Sequence, residues 1–137
     1  MKGGYFLILF LPEDFHVKTK GRNFFLRAGY YVYVGSAMNS LEGRIARHFR
    51  KEKRPHWHID YLLMQAELLR AYLVPSEKRI EEELSRGVAE FGEPVPGFGA
   101  SDVSVGTNLY RFDEPPDEKI KEILRRLGLK WMVVEKI

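Results

Sequence analysis

The sequence predicts an α/β (α+β) fold, a small and mainly antiparallel central sheet flanked by helices. Three observations carry this. Tyr5 to Leu11 (YFLILFL) and Tyr30 to Val34 (YYVYV) are rich in aromatic and aliphatic strand formers. Leu41, Ile45 and Phe49 recur at the four-residue spacing of a helix with one apolar face. Strands crowd the first third of the chain while helices dominate the rest.

Each element has its own signal. The first strand is closed by Pro12 and an acidic turn, and His16 to Lys20 (HVKTK) alternates apolar and polar residues as a half-exposed strand does. Gly21-Arg22-Asn23 reads as a turn, Asn23 to Arg27 continues a hairpin, and Ala28-Gly29 breaks it before Tyr30 to Val34. Asn39 or Ser40 caps a helix from about Leu41 to about Lys51. Pro55 resets the chain, His58 to Met64 forms a short second helix, and Leu68 to Val74 is a buried strand. A third helix is expected from Glu77 to Val88, with Ser76 as its cap. Glu93 to Asp102 (EPVPGFGASD) is a shaped loop, and Val103 to Phe112 holds one or two edge strands. Asp117 to Leu127 is an amphipathic helix stopped by Gly128, and Lys130 to Val134 is a last strand.

At 137 residues, 45% hydrophobic and 30% charged, the chain is expected to be one globular domain, 1–137. It has no cysteine, which excludes disulfides and thiol nucleophiles. The apolar run Tyr5 to Leu11 is too short to span a membrane and lacks the layout of a signal peptide, so a cytoplasmic location is expected. Net charge is only +3, but it is unevenly spread. Arg44 to Arg54 carries four arginines and two lysines against Glu52 alone, whereas acids outnumber bases from Glu77 to Glu93. Such a basic face fits a phosphate-backbone ligand, and it equally fits ordinary surface charge.

The segment from Ala28 to Ala37 (AGYYVYVGSA), His56 to Leu63 (HWHIDYLL) and Gly97 to Asp102 (GFGASD) resemble a small uncharacterised branch of the GIY-YIG nuclease superfamily. Members of that branch stand alone or are appended to DNA-repair glycosylase-like proteins. The two signatures look like Gly3-Gly4-Tyr5 and Tyr33-Val34-Gly35, and the helical arginine falls on Arg44. The resemblance implies hydrolysis of DNA phosphodiesters with one divalent ion, Mg2+ or Mn2+, held by a single glutamate. That residue falls within the run Glu81 to Glu83; Glu81 is favoured, with Glu83 second. The partners implied are DNA and a DNA-repair protein, with no membrane. Two features depart from the family. Tyr5 and Tyr33 are 28 residues apart because of an expanded hairpin at about 12–29, and the late asparagine has only Asn108 as a counterpart.

The residue types suit that chemistry. Arg44 gives fixed, permanently charged donors for phosphoryl oxygens. Tyr5 and Tyr33 relay a proton or orient water, and Gly35 leaves room for close backbone approach to a phosphate. His48, one turn beyond Arg44, and His56 or His58 are further catalytic candidates, contacting phosphate or a catalytic tyrosine. Arg47, Lys51 and Arg54, with Arg50, are candidate phosphate contacts. Tyr31 and Tyr33 share one face of their strand, with Tyr30 and Val32 on the other, so at least one tyrosine is structural. In extended backbone His56, His58 and Asp60 would be spaced for a transition metal; on a helix only His56 and Asp60 share a face. The alternatives are a catalytically silent nucleic-acid-binding module and a protein-interaction domain of a repair complex.

Overall fold

The computed structural model describes residues 1–19, 21–98 and 106–135. Its centre is strand β1 (Gly3–Leu11), in which eight of nine residues are buried. Burial at consecutive positions requires cover on both faces, and the neighbouring elements supply it. β1 pairs antiparallel with β4 (Gly29–Ala37) on one side and β5 (Glu67–Pro75) on the other. The two-residue β6 (Glu93–Pro94), β7 (Leu109–Phe112) and β8 (Met132–Glu135) complete a six-stranded antiparallel sheet in the order β6-β7-β4-β1-β5-β8. β2 (Phe15–Thr19) and β3 (Arg22–Leu26) form a separate two-stranded ribbon, turned at Gly21, whose φ of 86° suits glycine. The mixed, antiparallel fold expected from the sequence is therefore what the chain adopts.

Alternation along the strands sorts the core into two layers. Tyr5, Leu7, Leu9, Tyr31 and Tyr33 face the ribbon and helices α1 (Leu41–Phe49) and α2 (His58–Leu63). Phe6, Ile8, Val32, Val34 and Tyr72 face α3 (Glu81–Ala89) and α4 (Asp117–Arg126). Gly4 lets α3 come close to β1, since a Cβ there would stand 2.7 Å from Leu84 Cδ1 and 3.1 Å from Ile80 Cγ1. The outer strand β8 is exposed throughout.

Two helix boundaries differ from expectation. α1 is capped by Ser40, whose Oγ accepts from Gly43 N at 3.0 Å, and it ends at Phe49, leaving Lys51 outside it. α3 begins at Glu81, four residues later than expected, with Ile80 preceding it. Ser76 does not cap it: its hydroxyl donates to Lys78 O and accepts from Lys78 N, a local turn that competes with helix formation. The carboxylate of Asp60 fastens α1 to α2. Arg47 donates Nη1 to Oδ1 and Nη2 to Oδ2, both at 2.9 Å, while the amides of His56 and Trp57 donate to Oδ2 at 2.8 and 3.0 Å.

Asp60 is 1% exposed, and burial works against its charge. The bonds and charge of Arg47 and the two amides outweigh burial and hold the carboxyl below the usual aspartate range. Its contribution to stability is complete above the unfolded aspartate pKa and is lost as pH falls through the depressed native value. Asp60→Ala, which strands Arg47, is expected to cost about 3 kcal/mol in urea unfolding. It should also flatten the fall in stability in that acidic range, and an unchanged acid profile would contradict this account.

Candidate functional site

At the end of β1 the sheet opens into a cavity of about 610 Å³. Tyr5, Tyr33, Gly35, Arg44, His56, His58 and Glu81 line it, together with Arg22, Ser36, Trp57, Arg79 and Asn108. The floor is made by a cross-strand pair. Tyr5 lies opposite Gly35, and a Cβ on Gly35 would collide with the Tyr5 ring, including Cε2 at 2.7 Å. Gly35 is therefore required by the tyrosine beside it, within β4. Gly35 sits inside the strand rather than at a chain turn, and it lines the cavity.

The Tyr5 hydroxyl is 2.8 Å from His48 Nε2, a bond made possible because α1 carries His48 one turn beyond Arg44 on the buried side. Burial raises Tyr5 to about 12, with Arg44 pulling the other way. Burial pushes His48 down to about 3, opposed by the Asp60 charge and aided by Arg44, Lys53 and Arg47. Both groups are neutral at pH 7. Among the described residues His48 Nδ1 is buried without a hydrogen-bond partner. A bare lone pair there costs less than an orphaned N–H, which puts the proton on Nε2, donated to Tyr5. The tyrosine proton is then free to point into the cavity. Tyr33 is 9% exposed, and burial holds its hydroxyl well above the ordinary value. Tyr31, on the same strand face, donates to Arg27 O at 2.5 Å and stands outside the cavity.

Arg44 is held on two sides. Its Nη1 donates to Ser36 O at 3.0 Å, and its guanidinium carbon lies 4.5 Å from the centre of the Trp57 ring. Arg47 lies 4.5 Å from the same ring and is in turn fixed by Asp60. The indole is thus clasped by two arginines, and the HWHID segment orients Arg44 through Trp57. Arg47 faces Asp60, an intramolecular commitment unlike the expected phosphate contact. Lys51 lies outside this cavity, beside Ile45, Phe49 and Val134. Arg54 is exposed and gives its carbonyl to Arg47 Nη2 at 3.2 Å.

The glutamates separate by geometry. Glu81, at the first turn of α3, lines the cavity, and Asn108 Nδ2 donates to its Oε2 at 3.1 Å. Glu83 instead faces Arg86, Glu90 and Ile123 on the far side of α3. His56 is on the rim. His58 packs against Phe24 and Phe98, with ring centroids 5.5 and 5.7 Å away; burial lowers its pKa, helped by Arg22. A His56–His58–Asp60 metal site does not form, because Asp60 is consumed by Arg47 and the amides. Among the described residues no three His, Cys, Asp or Glu side chains are grouped to hold a metal. Part of the GFGASD segment, 99–102, lies outside the described residues. Arg22 and Arg79 also line the cavity, although the sequence places one in a turn and the other in the third expected helix. No periodicity marks either.

The family described as domain of unknown function DUF123 matches residues 4–129. No curated protein and no solved structure matches the chain. Among the described residues no helix is long and apolar enough to cross a membrane.

Gly35→Ala is expected to destabilise by about 1–3 kcal/mol through overpacking, with much of the loss relieved when Tyr5 is also made Ala. Additive losses in a denaturation cycle would show that Tyr5 is not the obstacle. His48 is protonated in the unfolded chain below about 6.5 but in the folded chain only near 3. Its folded pKa is depressed, so stability falls as pH drops between those values. His48→Gln should reduce that slope in Tm measured from pH 7 to pH 4.

Proposed function

The chain belongs to the DUF123 family, and from its site we propose that it is a divalent-metal-dependent nuclease of GIY-YIG type that hydrolyses DNA phosphodiesters. What carries the reading is convergence. Tyr5 from β1, Arg44 from α1 and Glu81 from α3 come from distant parts of the sequence and line one cavity. These are the residue types that phosphodiester hydrolysis requires, a hydroxyl, a fixed cation and a carboxylate.

Each side chain has a definable task. Arg44, already oriented by Ser36 and Trp57, offers its guanidinium to the non-bridging phosphoryl oxygens, where negative charge gathers. Because its orientation is set beforehand, little is lost in ordering it as charge develops. Tyr5 holds the attacking water by hydrogen bond, with His48 fixing the hydroxyl direction. With Tyr5 near 12, its role at neutral pH is to orient water, because its phenolate is scarcely populated.

Glu81 is the residue to hold Mg2+ or Mn2+. It is the one carboxylate among the described residues of the cavity wall, and Asn108 fixes one of its oxygens. A hard, largely hydrated ion suits one carboxylate plus substrate phosphate. When bound, the ion would polarise the phosphate and stabilise the departing oxygen. Action in DNA repair, beside a repair protein, belongs to the same proposal and rests on the resemblance to domains appended to glycosylase-like proteins. A second reading, a silent phosphate-binding module, draws support from the high pKa of Tyr5. It retains Arg44 as a phosphate contact and dispenses with the water.

Labelled duplex, flap, junction and abasic DNAs, incubated with Mg2+ or Mn2+, separate the two readings. Cleavage is expected to need the metal and to fall about 10²-fold or more in Arg44→Ala and Glu81→Gln, while Glu83→Ala retains wild-type rate. Binding weakened by Arg44→Ala without any cleavage would leave the silent module. Absence of both would remove DNA as the ligand.

A further inference from the structure

The β2–β3 ribbon reaches the cavity by one face only. Arg22 and Phe24 point inward: Arg22 lines the cavity and donates Nη1 to Gly97 O at 3.2 Å, and the Phe24 ring lies 4.9 Å from Phe98. Alternation sends the next residues to the outer face. There Phe25 is 62% exposed, opposite His16, and Lys18 is opposite Asn23. The His16 ring stands nearly perpendicular to Phe25, at 80° and 5.8 Å between centroids, so the two rings are not stacked in parallel. Phe25 belongs to neither buried cluster, whereas its ribbon partners Val17, Phe24 and Leu26 are all buried.

The charge of the ribbon is one-sided. From Phe15 to Leu26 the sequence contains Lys18, Lys20 and Arg22 and no acidic residue. Lys18 stands on the outer face and Arg22 at the cavity, so a polyanion would meet positive charge at both. The exposed ring selects further among polyanions. Aromatic rings stack on bases that are not already stacked, and bases inside a duplex are. Phe25 stands three residues from Arg22, about 10 Å along an extended strand.

We propose that the outer face of the β2–β3 ribbon docks unpaired nucleotides next to the phosphate held in the cavity, with Phe25 stacked on a base and Lys18 against the backbone. This deepens the nucleic-acid reading of the cavity and rests on it. The preferred ligand is then a strand junction or overhang, in which a single-stranded stretch passes Arg22 at the ribbon tip and continues over Phe25. The expanded hairpin thereby becomes the element that selects the form of the substrate.

Fluorescence anisotropy in buffer free of divalent ions tests this with the full chain and three labelled DNAs: a blunt duplex, the same duplex with a single-stranded overhang, and the single strand. The overhang is expected to bind more tightly than the blunt duplex. Phe25→Ala should weaken overhang binding about tenfold, leave the blunt duplex unchanged, and be rescued by Phe25→Tyr. Lys18→Glu should weaken the overhang and the single strand alike. Phe25 is 62% exposed, and an unchanged Tm would establish that the variant is folded. If Phe25→Ala binds all three DNAs as wild type does while Arg44→Ala does not, the ribbon proposal is overturned and the cavity reading stands. If Phe25→Ala loses overhang and blunt duplex equally, the ribbon grips duplex and the preference for unpaired bases is wrong. If wild type binds none of the DNAs, the reading of the cavity fails and takes this proposal with it.

Discussion

The Tyr5 ring occupies the space that a side chain on Gly35 would need, and the site is built outward from that fact. β1 and β4 are paired along nine residues. Only at this pair does an aromatic ring lean across the neighbouring strand into a gap left by glycine. The ring is 98% withdrawn from solvent, yet its hydroxyl reaches both His48 and the cavity. Core packing and the presentation of a polar group are therefore accomplished by one side chain. Its pairing register decides both, because a shift by one residue would turn the ring to the opposite layer.

Around this floor the polar groups are held by one another in series. Asp60 binds Arg47, Arg47 lies against Trp57, Trp57 lies against Arg44, and Arg44 bonds Ser36. The first member is inaccessible and the last faces the cavity. Such a series converts the fixed charge of a buried carboxylate into the orientation of a guanidinium at the surface of a cleft. It also explains why a helix rich in arginine presents only Arg44 to the cavity: Arg47 is committed inside the protein.

Much of this architecture could be read from residue order. The strands around Tyr5 and Tyr33, the four-residue period of α1 and the stop at Gly128 are local signals with local causes. So is the division of Tyr31 and Tyr33 from Tyr30, which follows from alternation. Other features were invisible for equally physical reasons. Ser76 followed by charged residues looks like a cap, but its hydroxyl is engaged by Lys78 and the helix starts at Glu81. Three consecutive glutamates cannot be told apart until that start is known; Glu81 and Glu83 then lie about 200° apart around the axis. The partnership of Arg47 with Asp60 joins residues thirteen apart across a loop, and no periodicity encodes it. The same holds for Gly35, whose reason for being glycine is a ring 30 residues earlier in the sequence.

The cavity has a floor and a rim of different character. Tyr5 and Asn108, which line it, are each 2% exposed, so the floor is continuous with the core. Arg22, His56 and Arg79 on the rim are exposed. Substitutions on the floor disturb core packing, whereas those on the rim are nearly free of folding cost. Divergence within such a scaffold has an easy direction: the rim can change while the floor stays fixed. The rim is accordingly where side chains can be exchanged most freely, and the floor is where an exchange would most readily unsettle the fold.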